Sequence, residues 1–211
     1  MKLGVLVPSS NTALEPLTTA ILSSLTPEVT VHFSRFTVTE IALSKTALSQ
    51  FEDSNILAAA RLLADAHVDC IGWSGTSAGW LGLDADVQLC QRIEEATGIR
   101  ATTSVLGLNQ LLEILKAETG ELSLGFVTPY LDNVQAAIVQ TYTNAGYAVK
   151  AESHLNRSVN VKFAEIDEHT LDSQMATVFG TMNGSRKVVS TFCTNLRAAQ
   201  RVQHGSNIVT I

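Results

Sequence analysis

The sequence lacks the features that mark a membrane protein or a nucleic-acid-binding protein. It contains no run of about 18 apolar residues, the length at which a segment becomes a candidate transmembrane helix. Its 14 Lys and Arg are outnumbered by 20 Asp and Glu, which gives a net charge of −6. An acidic balance argues against nucleic acid or an anionic membrane surface as the main partner. We therefore expect neither of these partners.

Patterns typical of disulfides and metal sites are also missing. The three cysteines, Cys70, Cys90 and Cys193, are odd in number and far apart, and the five histidines form no H-x-x-x-H pair. This distribution predicts reduced thiols, no zinc site and no cofactor. The first eight residues are broken by Pro8 and do not match a signal peptide. Together these features predict a cytoplasmic protein.

What the sequence does contain is a regular alternation of short apolar runs and helical patterns. This alternation is typical of β-α units around parallel sheets. Strands are predicted at residues 3–7, 29–36, 68–73, 124–128, 148–153 and 187–192, and helices at 12–25, 54–66, 86–97, 133–144 and 169–179. We predict an α/β protein with two similar doubly wound, Rossmann-like domains, residues 1–107 and 108–205. A last strand, residues 206–211, is expected to return to the first domain.

The two predicted domains share a pattern of residues. Residues 3–8 (Leu-Gly-Val-Leu-Val-Pro) match residues 124–129 (Leu-Gly-Phe-Val-Thr-Pro), and a later strand in each half ends in Gly75-Thr-Ser or Cys193-Thr-Asn. Ligands of open α/β sheets bind beyond the carboxyl ends of the strands. We therefore expect these strand ends around one cleft between the domains. The alternative is that strands ending in proline are common and the likeness is chance.

Polar residues after the first and third strands have both a structural and a functional interpretation. Ser10 and Asn11 could cap the next helix, or they could bind a carboxylate together with the N–H groups of the helix start. Gly75 is explained by a positive φ angle or by a ligand close to the backbone. Thr76 and Ser77 offer hydroxyl donors. The flanking tryptophans are assigned to the core (residue 73) and to a loop that could cover an apolar ligand (residue 80).

Cys193 stands where a buried strand reaches the predicted cleft. A thiol there, with Thr194 beside it, could give or take a proton on carbon. Free cysteines are more often small buried hydrophobic residues, which is the interpretation for Cys70 and Cys90. The phenol of Tyr130 could donate to a carboxylate or an enolate, or it could be a surface aromatic. Asn160 is a loop residue by default.

These segments resemble the aspartate/glutamate racemase superfamily, specifically its maleate cis-trans isomerase and arylmalonate decarboxylase branch. The resemblance rests on residues 4–12, 75–77, 128–133 and 192–194, and covers almost the whole chain in the correct order. It implies two α/β domains, related by a pseudo-twofold, that enclose a small carboxylate between two cysteines, one from each half. Here those two positions hold Gly75 and Cys193. It also implies a closing helix after the last strand, which this chain is expected to lack.

The resemblance implies a catalytic role for Cys193 and substrate contacts at Ser10, Asn11, Gly75, Thr76, Ser77, Tyr130, Asn160 and Thr194. Because glycine can serve neither as an acid or base nor as a nucleophile, we expect a cofactor-independent decarboxylase of a substituted malonate or related small dicarboxylate. In that reaction Cys193 protonates the enediolate. The alternatives are a maleate isomerase or racemase-like enzyme that lacks the first cysteine, and a catalytically silent dicarboxylate binder. Assembly into a homo-oligomer is left open.

Overall fold

The computed structural model describes residues 1–184, 186–204 and 208–210. The strands are β1 (Lys2–Pro8), β2 (Thr30–Phe36), β3 (Cys70–Trp73), β4 (Ala101–Thr103), β5 (Ser123–Thr128), β6 (Ala148–His154), β7 (Lys187–Thr191) and β8 (Ile208–Thr210). The α-helices are α1 (Leu14–Leu22), α2 (Lys45–Ser49), α3 (Asp53–Asp65), α4 (Ala78–Leu81), α5 (Asp84–Thr97), α6 (Ser104–Thr119), α7 (Asp132–Asn144) and α8 (Glu168–Thr181). Single 3-10 helices lie at Ser23–Leu25, Asn160–Glu165 and Ala199–His204.

The described strands form two four-stranded sheets with the same relative order. The first sheet has the order β2-β1-β3-β4 and the second β6-β5-β7-β8. All neighbouring strands within them are parallel. The predicted α/β class with parallel sheets is therefore confirmed. The repeated residues at 3–8 and 124–129 fall on β1 and β5, which hold the same place in their two sheets.

Burial follows the position of each strand in its sheet. In β5, which is central, every residue from Leu124 to Thr128 is buried, as expected for a parallel strand covered by helices on both faces. In β6, at the edge, exposed and half-buried residues alternate along most of the strand. Continuous burial in the central strands explains why their sequences are apolar runs, from which the strands were predicted. The three-residue strand β4 is too short to give such a pattern and was not predicted.

The region between the two sheets differs from the prediction. The proposed domain boundary at residues 107 and 108 falls inside α6, a continuous helix that the sequence pattern did not indicate. Thr103 caps this helix, because its hydroxyl oxygen accepts a hydrogen bond from the N–H of Leu106 at 3.0 Å. The division into two domains thus stays a prediction.

The last strand belongs to the second sheet. β8 pairs in parallel with β7, with Val189 opposite Ile208, and so takes the position that β4 takes beside β3. The prediction that this strand returns to the first domain is wrong, because its backbone hydrogen bonds supply the fourth strand of the second sheet. Residues 206, 207 and 211 of the predicted strand lie outside the described residues.

Candidate active site

A small cavity lies where β1, β3, β5 and β7 reach their carboxyl ends. The open volume between its walls is only about 20 Å³. The cavity is lined by Pro8, Asn11, Val38, Ile41, Phe51, Trp73, Gly75, Thr76, Ser77, Trp80, Tyr130, Asn160, Cys193, Thr194 and Asn195.

Strand register makes Gly75 and Cys193 equivalent positions in the two sheets. In the first sheet Leu3 of β1 lies opposite Cys70, and the chain reaches Gly75 five residues later. In the second sheet Leu124 of β5 lies opposite Val188, and the chain reaches residue 193 after the same interval. The residues predicted to share a cleft therefore come together, one from each sheet.

Cys193 is a buried thiol with a raised pKa. Burial raises its pKa from 9.0 to about 11, although a hydrogen bond with Tyr130 and the backbone N–H groups of Asn195 and Leu196 act in the opposite direction. Burial dominates because a thiolate in an apolar site loses its hydration. At neutral pH the group is therefore an uncharged thiol, suited to donating a proton and poorly suited to nucleophilic attack.

The phenol of Tyr130 connects the two sides of the cavity. Its oxygen lies 2.8 Å from the hydroxyl oxygen of Thr76, and it also interacts with the Cys193 thiol. Burial, followed by the influence of Cys193, raises the pKa of Tyr130 well above its ordinary value. Tyr130 is buried and is therefore not the surface aromatic that was the alternative.

Gly75 lies against a tryptophan ring and also lines the cavity, and its contact with a substrate stays a prediction. Its φ angle is not positive, so its backbone conformation does not require glycine. A Cβ placed on it would lie 2.1 Å from Cζ2 and 2.4 Å from Cε2 of Trp73. The glycine is required for space, because the indole covers its Cα. Trp73 was predicted as a core residue only, yet it is both buried and part of the cavity wall.

Trp80 lies on helix α4, whereas the sequence had suggested a loop. Its ring packs edge-on against Phe51, with the ring centres 6.0 Å apart, and against Tyr130 at 5.5 Å. These contacts give the cavity an aromatic wall beside the phenol of Tyr130. The expectation that this tryptophan covers an apolar ligand stays a prediction.

Asn11 begins the next helix and also lines the cavity, while its contact with a carboxylate stays a prediction. Its side-chain oxygen accepts hydrogen bonds from the N–H groups of Ala13 (3.1 Å) and Leu14 (2.9 Å), which begins helix α1. Its amide nitrogen points to the other sheet and donates to the hydroxyl of Thr194 at 3.3 Å. That hydroxyl in turn donates to the carbonyl of Ser74 at 3.1 Å. The amide has a second N–H that is available to a carboxylate.

Ser10 is not among the residues that line the cavity. Its hydroxyl donates to the carbonyl of Val38 and accepts a hydrogen bond from the side chain of Asn160 at 2.8 Å. Ser10 therefore supports Asn160 from behind, and a direct contact with substrate stays a prediction. Asn160 itself is brought in by backbone pairing between residues 39–41 and 158–160, including a hydrogen bond from its N–H to the carbonyl of Thr39 at 3.0 Å.

Asn195 was expected at the cleft as part of the Cys-Thr-Asn strand end, but it was not selected as a substrate contact, and it lines the cavity. Its side-chain oxygen accepts from the N–H groups of Thr12 (3.0 Å) and Ala13 (3.2 Å), and its amide donates to the backbone carbonyl of Asn160 at 2.6 Å. It thus joins the start of α1 to the segment that carries Asn160. The signal was present, because Asn195 closes the Cys-Thr-Asn segment that repeats Gly-Thr-Ser.

The described part of the chain contains neither a metal-binding cluster nor a membrane-spanning helix. No group of three or more His, Cys, Asp and Glu side chains there could hold a metal ion. None of the helices in the same ranges is long and apolar enough to cross a membrane.

Comparison with known proteins gives consistent matches. A sequence model described as arylmalonate decarboxylase matches residues 3–206. A maleate isomerase from Pseudomonas putida is 26% identical over 224 residues, covering 99% of this chain and 86% of the relative. A Nocardia farcinica maleate cis-trans isomerase variant, solved with a covalently bound succinylcysteine intermediate, has a TM-score of 0.84 at 16% identity, covering 99% of this chain and 86% of its own. A crystal structure of arylmalonate decarboxylase has a TM-score of 0.72 at 17% identity, with coverages of 100% and 87%.

Proposed function

The chain belongs to the arylmalonate decarboxylase family, and on that premise we propose that it is a cofactor-independent decarboxylase of a substituted malonate or related small dicarboxylate. One observation carries the proposal. Of the residues described around the cavity, only Cys193 carries a thiol, and the equivalent position in the other sheet holds glycine. Protonation of a carbanion from one face needs one acid, whereas racemisation needs groups on two faces.

We place the reaction in a cleft between two domains related by a pseudo-twofold. Two features support this placement. The two sheets share one strand order, and the register of β1 with β3 matches that of β5 with β7. The substrate would lie where both sets of strand ends meet.

The proposed reaction begins with two carboxylates on one carbon atom. The bond from that carbon to one carboxylate breaks, carbon dioxide leaves, and the electron pair enters the remaining carboxylate as an enediolate. The hydroxyls of Tyr130 and Thr76 donate hydrogen bonds to the enediolate oxygens. Removing one donor of this kind typically costs about 10²–10³ in rate. The thiol of Cys193 then gives its proton to the carbon and is later reprotonated from water.

The character of the cavity wall supports a small, partly apolar substrate. Neutral donors from Asn11, Ser77 and Asn160 could hold the carboxylate that remains, and the described lining residues include no Lys, Arg, Asp or Glu. Apolar side chains line the same cavity, namely Val38, Ile41, Phe51, Trp73 and Trp80. A malonate with an apolar substituent on its central carbon combines the two requirements.

Carbon dioxide release from a panel of 2-aryl-2-methylmalonates tests the proposal. We expect release by the native protein and a loss of about 10²-fold or more in the Cys193→Ala variant, since a positioned acid contributes about 10²–10⁴-fold. The Cys90→Ala variant is the matched control, because Cys90 is buried and is not a lining residue of the cavity. Equal release by native protein and Cys193→Ala would contradict the proposal.

The second candidate is a maleate isomerase, favoured by the 26% identical relative. This chemistry requires a nucleophile at the first position, and Gly75 has no side chain. Conversion of maleate to fumarate without carbon dioxide release from malonates would support the isomerase instead. A thermal shift with dicarboxylates but no turnover of either substrate would mark a silent binder.

A further inference from the structure

We propose that Trp73 determines the reaction specificity of this site. Its indole ring decides whether a residue at position 75 can present a side chain to the cavity. The inference rests on the proposed function and extends it. Under this proposal the reaction stays on the face of Cys193 because an indole ring fills the space beside Gly75. Replacing that glycine alone would not create a two-faced enzyme.

The two residues compete for one volume. Trp73 and position 75 are two residues apart at the end of β3, and side chains with this spacing point to the same side of an extended chain. A Cβ at position 75 would lie 2.1, 2.4 and 2.7 Å from three atoms of the indole. Contacts this short force one of the two groups to move. A cysteine would add a sulfur atom beyond that Cβ.

The indole has little freedom to make room. Trp73 is 1% exposed, and its ring packs against that of Phe36 with the ring centres 5.0 Å apart. Its N–H donates to the hydroxyl of Ser77 at 3.4 Å. A rigid, packed ring cannot swing away in the manner of a flexible side chain, so an added group at position 75 must strain the core.

The second sheet shows what a smaller residue permits. The register places Thr191 where the first sheet has Trp73, and Cys193 where it has Gly75. A threonine two residues before the thiol leaves the space that the cysteine occupies. The three atoms nearest to a Cβ at position 75 all belong to the indole, so a smaller residue at position 73 should restore the space.

A cycle of thermal unfolding measurements tests the competition without reference to any reaction. The variants are Gly75→Cys, Trp73→Leu and the double variant, with Trp73→Met and its double as a second set should Trp73→Leu fail to fold. We expect Gly75→Cys to lower Tm by about 4 °C or more in the native background. In the Trp73→Leu or Trp73→Met background, Gly75→Cys should lower Tm much less or raise it, because the thiol fills the space that the indole has left. Equal falls in all backgrounds would overturn the proposal.

Stereochemistry tests the consequence for catalysis. An enantiopure 2-arylpropionate is incubated in deuterated water with each variant, and racemisation and α-deuterium are followed. Exchange on two faces requires one sulfur to take the α-proton while the other delivers a deuteron. We expect racemisation only in the double variant, and its loss when Cys193→Ala is added. Racemisation by Gly75→Cys alone, or none by a double variant that still decarboxylates, overturns the proposal.

Failure of this inference and failure of the proposed function are distinguishable. If the native protein releases no carbon dioxide from malonates, the decarboxylase assignment falls, and the unfolding cycle alone decides the role of Trp73. If the native protein decarboxylates and the cycle shows no coupling between positions 73 and 75, the decarboxylase assignment stands and the inference about Trp73 falls.

Discussion

The ends of β3 and β7 hold equivalent places in the two sheets, but large and small residues follow one another in different order there. At the end of β3 a large ring, Trp73, is followed two residues later by Gly75, which has no side chain. At the end of β7 a small residue, Thr191, is followed by the thiol of Cys193. The total volume is shared differently, and only the second arrangement leaves a reactive group at the cavity. On the inference above, the size of the residue at position 73 or 191 thus decides whether the residue two positions later can carry a side chain.

The next equivalent pair, Ser77 and Asn195, differs in the hydrogen bonds of the side chains. The hydroxyl of Ser77 accepts one long hydrogen bond, from the indole N–H of Trp73 at 3.4 Å. The side chain of Asn195 forms three, including one of 2.6 Å to the backbone carbonyl of Asn160. Among the described residues, the side chain of Ser77 is therefore bonded only to a packed ring of its own strand end, whereas that of Asn195 joins the end of β7 to two distant segments. Changes at the two ends should therefore differ in both kind and size.

The largest expected effect is on the group that joins the two ends. Tyr130→Phe removes the hydroxyl that lies 2.8 Å from Thr76 and interacts with Cys193. We expect turnover of an aryl-substituted malonate to fall about 10²-fold or more, because the enediolate loses a donor. Measurement of kcat and of Tm separates this loss from unfolding.

Tyr142→Phe is the matched control for that prediction. Tyr142 is also fully buried, and within the described residues its hydroxyl has no hydrogen-bond partner. It packs on Phe126, with the ring centres 4.9 Å apart, and it is not a lining residue of the cavity. Turnover should be unchanged in this variant. A comparable loss in both tyrosine variants would show that Tyr130 acts through packing alone.

The second prediction concerns the thiol reactivity of the β7 end. With a pKa of about 11 instead of 9.0, Cys193 carries about 100-fold less thiolate at pH 8 than an ordinary thiol. In a Cys70→Ser, Cys90→Ser background, iodoacetamide should therefore label it at least that much more slowly than a small reference thiol. The labelling rate should rise about tenfold per pH unit until pH approaches 11, because only the deprotonated form reacts.

Labelling of the unfolded chain supplies the control for the thiol experiment. In guanidinium chloride the same cysteine should react like the reference thiol, since burial is the main cause of its raised pKa. Labelling of the folded protein as fast as the reference at pH 8 would mean that Cys193 is an accessible thiolate. That result would remove the argument for a neutral proton donor.

The comparison also explains which parts of the site the sequence could predict. The β-strand runs, the repeat of residues 3–8 at 124–129 and the polar strand ends are local patterns, and they located about half of the lining residues, whereas Asn160 was indicated only by the family resemblance. The same repeat predicted the equivalence of Gly75 and Cys193. These features are readable because strand periodicity and strand ends follow from neighbouring residues.

Features that depend on three-dimensional neighbours were missed. A tryptophan at the end of an apolar run looks like a core residue, and nothing local shows that the ring of Trp73 lies over Gly75. Asn195 was expected at the cleft, but its role in joining two segments was missed because its partners, at Thr12 and Asn160, are far away in sequence. The pairing of β8 with β7 was missed for the same reason, since a strand three residues long does not specify its neighbour.

The third prediction concerns the anchoring of the β7 end. Asn195→Ala leaves the carbonyl of Asn160 and the N–H of Thr12 without their partner, whereas the N–H of Ala13 keeps Asn11. A buried group left unpaired costs about 1–3 kcal/mol, and each kcal/mol lowers Tm by about 2–4 °C in a chain of this size. Calorimetry should show a fall of about 4 °C or more. An unchanged Tm would contradict an anchoring role.

The smallest effect is expected at the equivalent position in the first sheet. Ser77→Ala leaves one buried donor, the indole N–H of Trp73, without its partner. Because that hydrogen bond is long at 3.4 Å, we expect a cost at the lower end of about 1–3 kcal/mol. The indole keeps its packing against Phe36, so Tm should fall by about 2–4 °C, less than in Asn195→Ala, where two groups lose their partner. The difference between this variant and Asn195→Ala measures how unequally the two strand ends are held. A fall in Tm at Ser77 as large as at Asn195 would mean that the two positions contribute equally to stability.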